Sequence, residues 1–330
     1  MKKKVTYFYR PPMKGVFSIE GVFQLLKTEF SKYVEISDYI CTTKWKRLYS
    51  FLQARKYQGE INHITGDIHT ISLFLSKKRT ILTIHDTGRY DRDMTGVKKK
   101  IFRLLWITIP MRRVSAITTI SEYTKQRLIS LEGISPDKIH VIYNPAPNDF
   151  KYSSKVFDKK QPTILQIGSN NNKNIWRLIE AIKDSSYRLI LVRKPDEKIA
   201  QLLDSYNIEY EWLYSLTREE IYECYCRCDI LFFASEYEGF GVPILEANSV
   251  GRPVVTSNIA SMPEVAGEAA LIIDPYDIGA IRTGLNKIKD DDSFRESLIK
   301  KGLENIKRFS VEKIAKEYYN IYETIYEKNR

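Results

Sequence analysis

Short apolar, β-branched runs alternate along the whole chain with longer stretches of helical periodicity. Runs at residues 5–9, 34–39, 60–63, 79–84, 116–120 and 138–142 predict six strands in the first half. Those at 163–167, 187–192, 209–213, 230–234, 253–256 and 270–273 predict six more. Near-continuous apolar strands separated by helix-length segments imply βα units and parallel sheets covered on both faces. The fold class is therefore α/β, with one doubly wound sheet in each half. Pro145 and Pro147, one residue apart, interrupt this pattern and favour extended chain. They place the boundary between a domain of residues 1–150 and one of residues 151–310. Residues 311–330 repeat Ile314, Ala315, Tyr318, Tyr319, Tyr322, Ile325 and Tyr326 at helical spacing, which predicts a docked amphipathic helix.

With 330 residues, 43% hydrophobic and 28% charged, the chain is too long for a single small binding module and too apolar for a disordered one. Its four cysteines make no disulfide framework and fit a reducing compartment. Cys224 and Cys228 fall on one helix face, where a core role outranks metal binding. No apolar run is long enough to span a membrane, and the N-terminus lacks the apolar stretch of a secretory signal, so a cytoplasmic location is expected.

Charge changes the picture. Of 52 Lys and Arg against 41 Asp and Glu, residues 1–150 hold 26 against 13, leaving 26 against 28 for the rest. The first half is thus expected to meet something anionic: membrane lipid, a phosphorylated acceptor or nucleic acid. Residues 97–113 are apolar in the middle and cationic at both ends. They read either as a peripheral contact with anionic membrane, Trp106 and Phe102 below the headgroups, or as a packed helix before the next strand. No DNA-reading motif is present, which speaks against nucleic acid.

The stretch from Ser235 to Ala247 runs from a strand through a Gly-rich turn into a helix. Several backbone N–H groups of that turn should face a crevice at the carboxyl edge of a sheet. Glu238 and Glu246 bracket that turn, so each can accept hydrogen bonds from different hydroxyls of one extended ligand; the residues alone leave an ordinary strand-loop-helix equally open. Gly168 ends another apolar strand, and Lys173 stands at the start of the helix that follows, where a cation suits a phosphate and a solvated lysine is the alternative. Arg193 and Lys194, after the next strand, are either further phosphate cations or surface charges. Thr217 with Glu220 makes a capping box, and Ser121 is an N-cap. His63, His69 and His85-Asp86 cluster in sequence near strand ends, but no spacing supports a zinc ligand set.

The run 235–247, followed by Gly251-Arg252-Pro253-Val254-Val255-Thr256-Ser257 and by residues 261–270, closely resembles the donor-binding half of the family-4 (group 1) retaining glycosyltransferases of the GT-B fold. More loosely, the resemblance covers nearly the whole chain. It implies two Rossmann-like domains facing across a cleft, the first binding acceptor and the second a nucleotide-diphosphate sugar, with no metal or other cofactor. Glu246 would hold the nucleotide ribose and Glu238 the transferred sugar. Lys173 would meet the diphosphate, with Gly168, Phe240, Gly241, Val242 and Gly15 bringing backbone close to the donor and Leu213 and Tyr214 near the base. His85 would face the transferred sugar, and His63, Asp86, Ser121 and Thr124 would line the acceptor side. Relatives carry an arginine beside the glycine or the lysine where this chain has Ser169 and Asn172. The Asp91-Arg92-Asp93 triplet resembles the metal-holding motif of the other main glycosyltransferase fold, but the two-domain pattern argues against that role. The resemblance implies transfer of a hexose, mannosyltransferase-like, to a glycan or lipid-linked acceptor in cell-surface polysaccharide synthesis. A DNA-modifying glucosyltransferase and a non-catalytic partner subunit are the alternatives, the latter motivated by the missing arginine.

Overall fold

A computed structural model of the protein describes residues 2–11, 18–42 and 46–330. All twelve expected strands are present. They are β1 (Lys3–Tyr9), β2 (Val34–Ile40), β3 (Ile61–Ile64), β4 (Thr80–Ile84), β5 (Ala116–Thr119), β6 (Ile139–Val141), β7 (Thr163–Ile167), β8 (Arg188–Val192), β9 (Tyr210–Leu213), β10 (Ile230–Phe233), β11 (Val254–Ser257) and β12 (Leu271–Ile273). They form two six-stranded sheets, in the orders β2-β1-β3-β4-β5-β6 and β12-β11-β10-β7-β8-β9. Every pair is parallel. Strands β3, β4, β5 and β10 are buried at every position, which is why their sequences read as apolar runs rather than alternating ones.

The chain divides into one compact unit of residues 1–145 with 310–330 and another of residues 146–309. Residues 146–150, assigned from sequence to the first domain, belong to the second. Phe150 packs against Tyr222 and Tyr225, and the Ala146 N–H donates to the Phe309 carbonyl at 2.8 Å. The last helix, Val311–Glu327, is amphipathic as expected. It buries Ile314, Ala315, Tyr318, Tyr322 and Ile325 in the core of the first unit beside Tyr7, Phe23 and Phe30. Burial of a large apolar side chain of this kind is worth roughly 1.5–3 kcal/mol, which offsets part of the entropy cost of ordering the segment.

Two local expectations hold in detail. The Thr217–Glu220 capping box opens the helix Arg218–Arg227, and the Ser121 hydroxyl accepts from the Thr124 N–H at the start of the helix Glu122–Glu132. Cys224 and Cys228 are buried in the core. The segment 97–113 is helical, but Trp106 turns inward against His69, Phe102 and the Arg47 guanidinium. Its exposed apolar face is Val97, Ile101, Leu104 and Leu105, so the expected placement of Trp106 and Phe102 on a lipid-facing surface does not hold. Among the described residues, no helix is long and apolar enough to cross a membrane.

Candidate functional site

In the second sheet the strand order reverses at β7, whose neighbours are β8 and β10. Loops leaving the carboxyl ends of β7 and β10 diverge, opening the crevice where open α/β sheets bind ligands. Both stretches singled out from sequence occupy these loops. Lys173 from the first loop points its ammonium at Glu238 from the second, Nζ to Oε1 2.5 Å, and over the Phe233 ring at 4.8 Å. Asn172 ties the loops together: its Nδ2 donates to the Tyr237 carbonyl at 2.7 Å, and its own carbonyl accepts from the Glu236 N–H at 2.8 Å.

Gly168 has φ +108°, a region strained for any side chain, and a Cβ there would lie 2.7 Å from Lys173 Cε. The glycine makes room for the lysine stem, so in this structure its close approach is to Lys173. At the other turn Gly241 has φ +120°, and the Ser261 hydroxyl lies 2.7 Å from the Phe240 carbonyl and 3.0 Å from that of Glu238. Phe240 is buried edge-on against Phe309 and gives the site backbone only. Val242 begins the helix Val242–Val250.

Glu246, on the second turn of that helix, is 6% exposed and has both oxygens engaged. Oε1 accepts from Arg218 Nη1 at 2.5 Å and Oε2 from the Tyr225 hydroxyl at 2.7 Å. Arg218 also donates to Asp149 at 2.8 and 3.2 Å and lies 4.0 Å above the Phe150 ring. Burial disfavours its charge, but the two carboxylates prevail and raise its pKa. Burial first, and the Glu246 charge second, push the Tyr225 hydroxyl well above its usual value. A carboxylate has about four lone-pair positions, so Glu246 keeps two for a ligand's hydroxyls.

Sequence reasoning missed Arg218 and Tyr225. A signal for Arg218 was available: a cation in the first turn of a helix opposes the helix dipole and requires anionic neighbours. Leu213 closes β9, its carbonyl accepting from the Arg193 N–H, and Tyr214 is exposed just beyond. Within the second unit, the buried side-chain atoms lacking a partner among the described residues are Gln166 Oε1, Asn172 Oδ1, Ser235 Oγ, and Nε and Nη1 of Arg193. All lie at or near the carboxyl ends of β7, β8 and β10. Buried polar groups of this kind are satisfied by ligand or water.

In the first unit the structure separates the predicted residues. His85, 7% exposed, follows β4 and donates from Nε2 to the Thr65 carbonyl at 2.8 Å, leaving Nδ1 as acceptor in the neutral ring; burial lowers its pKa. The Thr124 hydroxyl reaches the His85 carbonyl at 3.5 Å, so Ser121 and Thr124, both buried, cap a helix and support His85. Asp86 is exposed and accepts from the Gly88 N–H at 2.7 Å. His63 is corrected: it lies inside β3, fully buried, between the Tyr322 hydroxyl (2.8 Å) and the Thr83 hydroxyl (2.7 Å). Burial drops its pKa to about 3, and it faces the last helix, not a ligand. His69 is likewise buried, with Nδ1 2.7 Å from the Trp106 carbonyl. Gly15 lies outside the described residues. Asp91 holds Arg127 through both nitrogens of one guanidinium edge, so an ion pair occupies that motif.

Comparison with known proteins bears on this geometry. Residues 148–305 match the family described as Glycosyl transferases group 1, and residues 43–150 match Glycosyltransferase Family 4. The chain belongs to the family-4, group 1 glycosyltransferases. The Escherichia coli O-antigen chain mannosyltransferase B is 32% identical over 230 residues, which span 63% of this chain and 60% of that protein. The Salmonella typhimurium O-antigen chain mannosyltransferase RfbU is 26% identical across 67% of this chain and 63% of its own. The chain thus spans about three fifths of the length of these two relatives. Among solved structures, the sucrose-phosphate synthase of Thermosynechococcus elongatus superposes with a TM-score of 0.81 at 16% identity, covering 99% of this chain and 100% of that one. Anabaena HepE in complex with UDP and glucose gives 0.77 at 14%, covering 98% and 100%. These likenesses establish the GT-B fold expected for the family-4 glycosyltransferases.

Proposed function

We propose that this protein is a retaining glycosyltransferase that moves a hexose from a nucleoside diphosphate sugar to a glycan or lipid-linked acceptor in cell-surface polysaccharide synthesis. The observation that carries the reading is the meeting of Lys173 and Glu238 across the crevice at the switch point of the second sheet, with Glu246 on the helix that leaves the same Gly-rich turn. Glu246 receives the ribose hydroxyls. Glu238 receives the sugar, and Lys173 moves from Glu238 to the diphosphate. Transfer breaks the bond between the anomeric carbon and the phosphate oxygen and forms one to the acceptor oxygen. The acceptor's proton passes to the departing phosphate on the same face. Lys173 and main-chain N–H groups lower the energy of the developing negative charge. The identity of the named relatives supports mannose as the sugar, and their O-antigen chemistry supports a saccharide acceptor.

Peripheral membrane contact through residues 97–113 belongs to the same reading. Val97, Ile101, Leu104 and Leu105 form an exposed apolar face flanked by Lys98, Lys100 and Arg112, a combination suited to an anionic lipid surface.

A thermal-shift screen of UDP, GDP, ADP and dTDP sugars, followed by transfer assays with the stabilising donors, tests the proposal. Donor binding and transfer that vanish in Glu246→Ala, with the fold intact, are expected. Binding without hydrolysis or transfer would favour a non-catalytic partner subunit, and salt-sensitive duplex binding would favour a DNA-modifying enzyme.

A further inference from the structure

Arg193 follows β8 and is 5% exposed, yet its guanidinium has no carboxylate partner among the described residues. Nη2 donates to the Ser169 carbonyl at 3.2 Å, while Nε and Nη1 are buried and unpartnered. Asp196, the nearby acid, favours the charged guanidinium through space but makes no ion pair with it: it is turned to the helix Glu197–Ser205, where it accepts from the Lys198 and Ile199 N–H groups at 3.0 and 3.3 Å. A buried charge without an ion pair is costly, and an anion at this edge would offset that cost. The position identifies which anion. The Gly168-Ser169 turn is held to the end of β8 by three bonds: Gly168 N–H to the Val192 carbonyl at 2.9 Å, Lys194 N–H to Ser169 Oγ at 2.7 Å, and Arg193 to the Ser169 carbonyl. Drawing that carbonyl toward the guanidinium points the N–H of the same peptide, on Asn170, the opposite way. Lys173, another cation at this edge, already faces Glu238.

We infer that Arg193, a cation with no ion-pair partner among the described residues, stabilises the donor's diphosphate, acting from beneath the Gly168-Ser169 turn through its charge and its grip on the Ser169 carbonyl. It is a positioning residue, and the inference rests on the donor-site reading above.

The test is calorimetric titration of the full chain with UDP and GDP and with UMP and GMP. Arg193→Gln keeps a donor for the Ser169 carbonyl but removes the charge; Arg193→Lys keeps the charge. For whichever nucleotide binds, Arg193→Gln is expected to cut the preference for diphosphate over monophosphate by about tenfold, while Arg193→Lys retains most of it. A wild-type preference in Arg193→Gln overturns the inference and leaves the donor site standing. If Arg193→Gln does not fold, Arg193→Lys decides: a retained preference supports the charge, and a collapsed one sinks it. If the wild-type protein binds none of the four at millimolar concentration, the donor-site reading fails and the inference with it.

Discussion

The Lys173 ammonium and the Glu238 carboxylate, 65 positions apart in the chain, meet at 2.5 Å across the crevice between two strand-end loops. A nucleoside diphosphate without its sugar must draw Lys173 away from that carboxylate. Glu238→Gln is therefore expected to tighten UDP or GDP binding by about fivefold, the value of a pair worth roughly 1 kcal/mol, while transfer collapses. Lys173→Met should weaken the same binding by about tenfold. Calorimetry with turnover on the same preparations checks both signs; equal losses in the two variants would place the phosphate elsewhere.

Arg218 bridges Glu246 and Asp149, so its removal leaves Glu246 buried with Tyr225 alone. Arg218→Ala is expected to weaken nucleotide binding by about tenfold, since one charge-assisted hydrogen bond positions the carboxylate. Because Glu246 is to grip ribose hydroxyls, the deficit should vanish with a 2′,3′-dideoxy nucleotide. A deficit of the same size with the dideoxy ligand would detach Arg218 from the ribose.

Gly168→Ala meets two obstacles, the backbone angle and the Lys173 stem. A stability loss of about 1–3 kcal/mol is expected from the strained backbone, together with a weakened diphosphate affinity as the lysine is displaced. Urea unfolding measures the first and titration with GDP or UDP the second. Wild-type affinity in a folded variant would show that Lys173 can be repositioned freely.

The strands were legible because sheets covered on both faces demand continuous apolar runs, and the last helix was legible from its tyrosine spacing. Around the site, the Gly-rich turn and its two glutamates were visible as a local pattern. What the glutamates touch was not: Arg218 and Tyr225 reach Glu246 from a neighbouring helix, a contact made by packing rather than by spacing. His63 failed for the converse reason. A histidine inside a fully buried strand looks, in sequence, like one at a strand end, and only the return of Tyr322 from the far end of the chain supplies the hydroxyl that satisfies it.

That histidine has a thermodynamic signature. Its folded pKa, about 3, lies below the ordinary 6.5, so the unfolded chain takes up the proton first as pH falls. Stability is fully present above about pH 6.5 and is lost progressively toward pH 3. His63 alone costs about 2 kcal/mol at pH 5. His69, His85 and His140 are shifted in the same direction by burial and add to the slope. Urea unfolding between pH 7 and pH 5 should show the decline, and His63→Gln should reduce its slope by about one proton. An unchanged slope would mean that the histidine titrates normally.

For the membrane contact, flotation with anionic vesicles should succeed at low salt and fail at high salt. Charge reversal at Lys98 and Lys100 should reduce it by about fivefold per residue, since a lysine near an anionic surface is worth about 1 kcal/mol. These two are chosen because Lys99 lies against the Tyr90 ring. Flotation that ignores both salt and charge reversal would end the electrostatic account.

The chain leaves its first unit after Pro145 and re-enters it at Ser310, which sets an order of events during synthesis. While the ribosome is still adding the final helix, Tyr7, Phe23 and Phe30 have no Tyr318 or Tyr322 to close over them. The middle of the chain, by contrast, is already whole once Phe309 emerges. The unit of residues 146–309 therefore closes on a continuous stretch of chain, whereas the aromatic surface of Tyr7, Phe23 and Phe30 stays uncovered until the helix Val311–Glu327 docks on it.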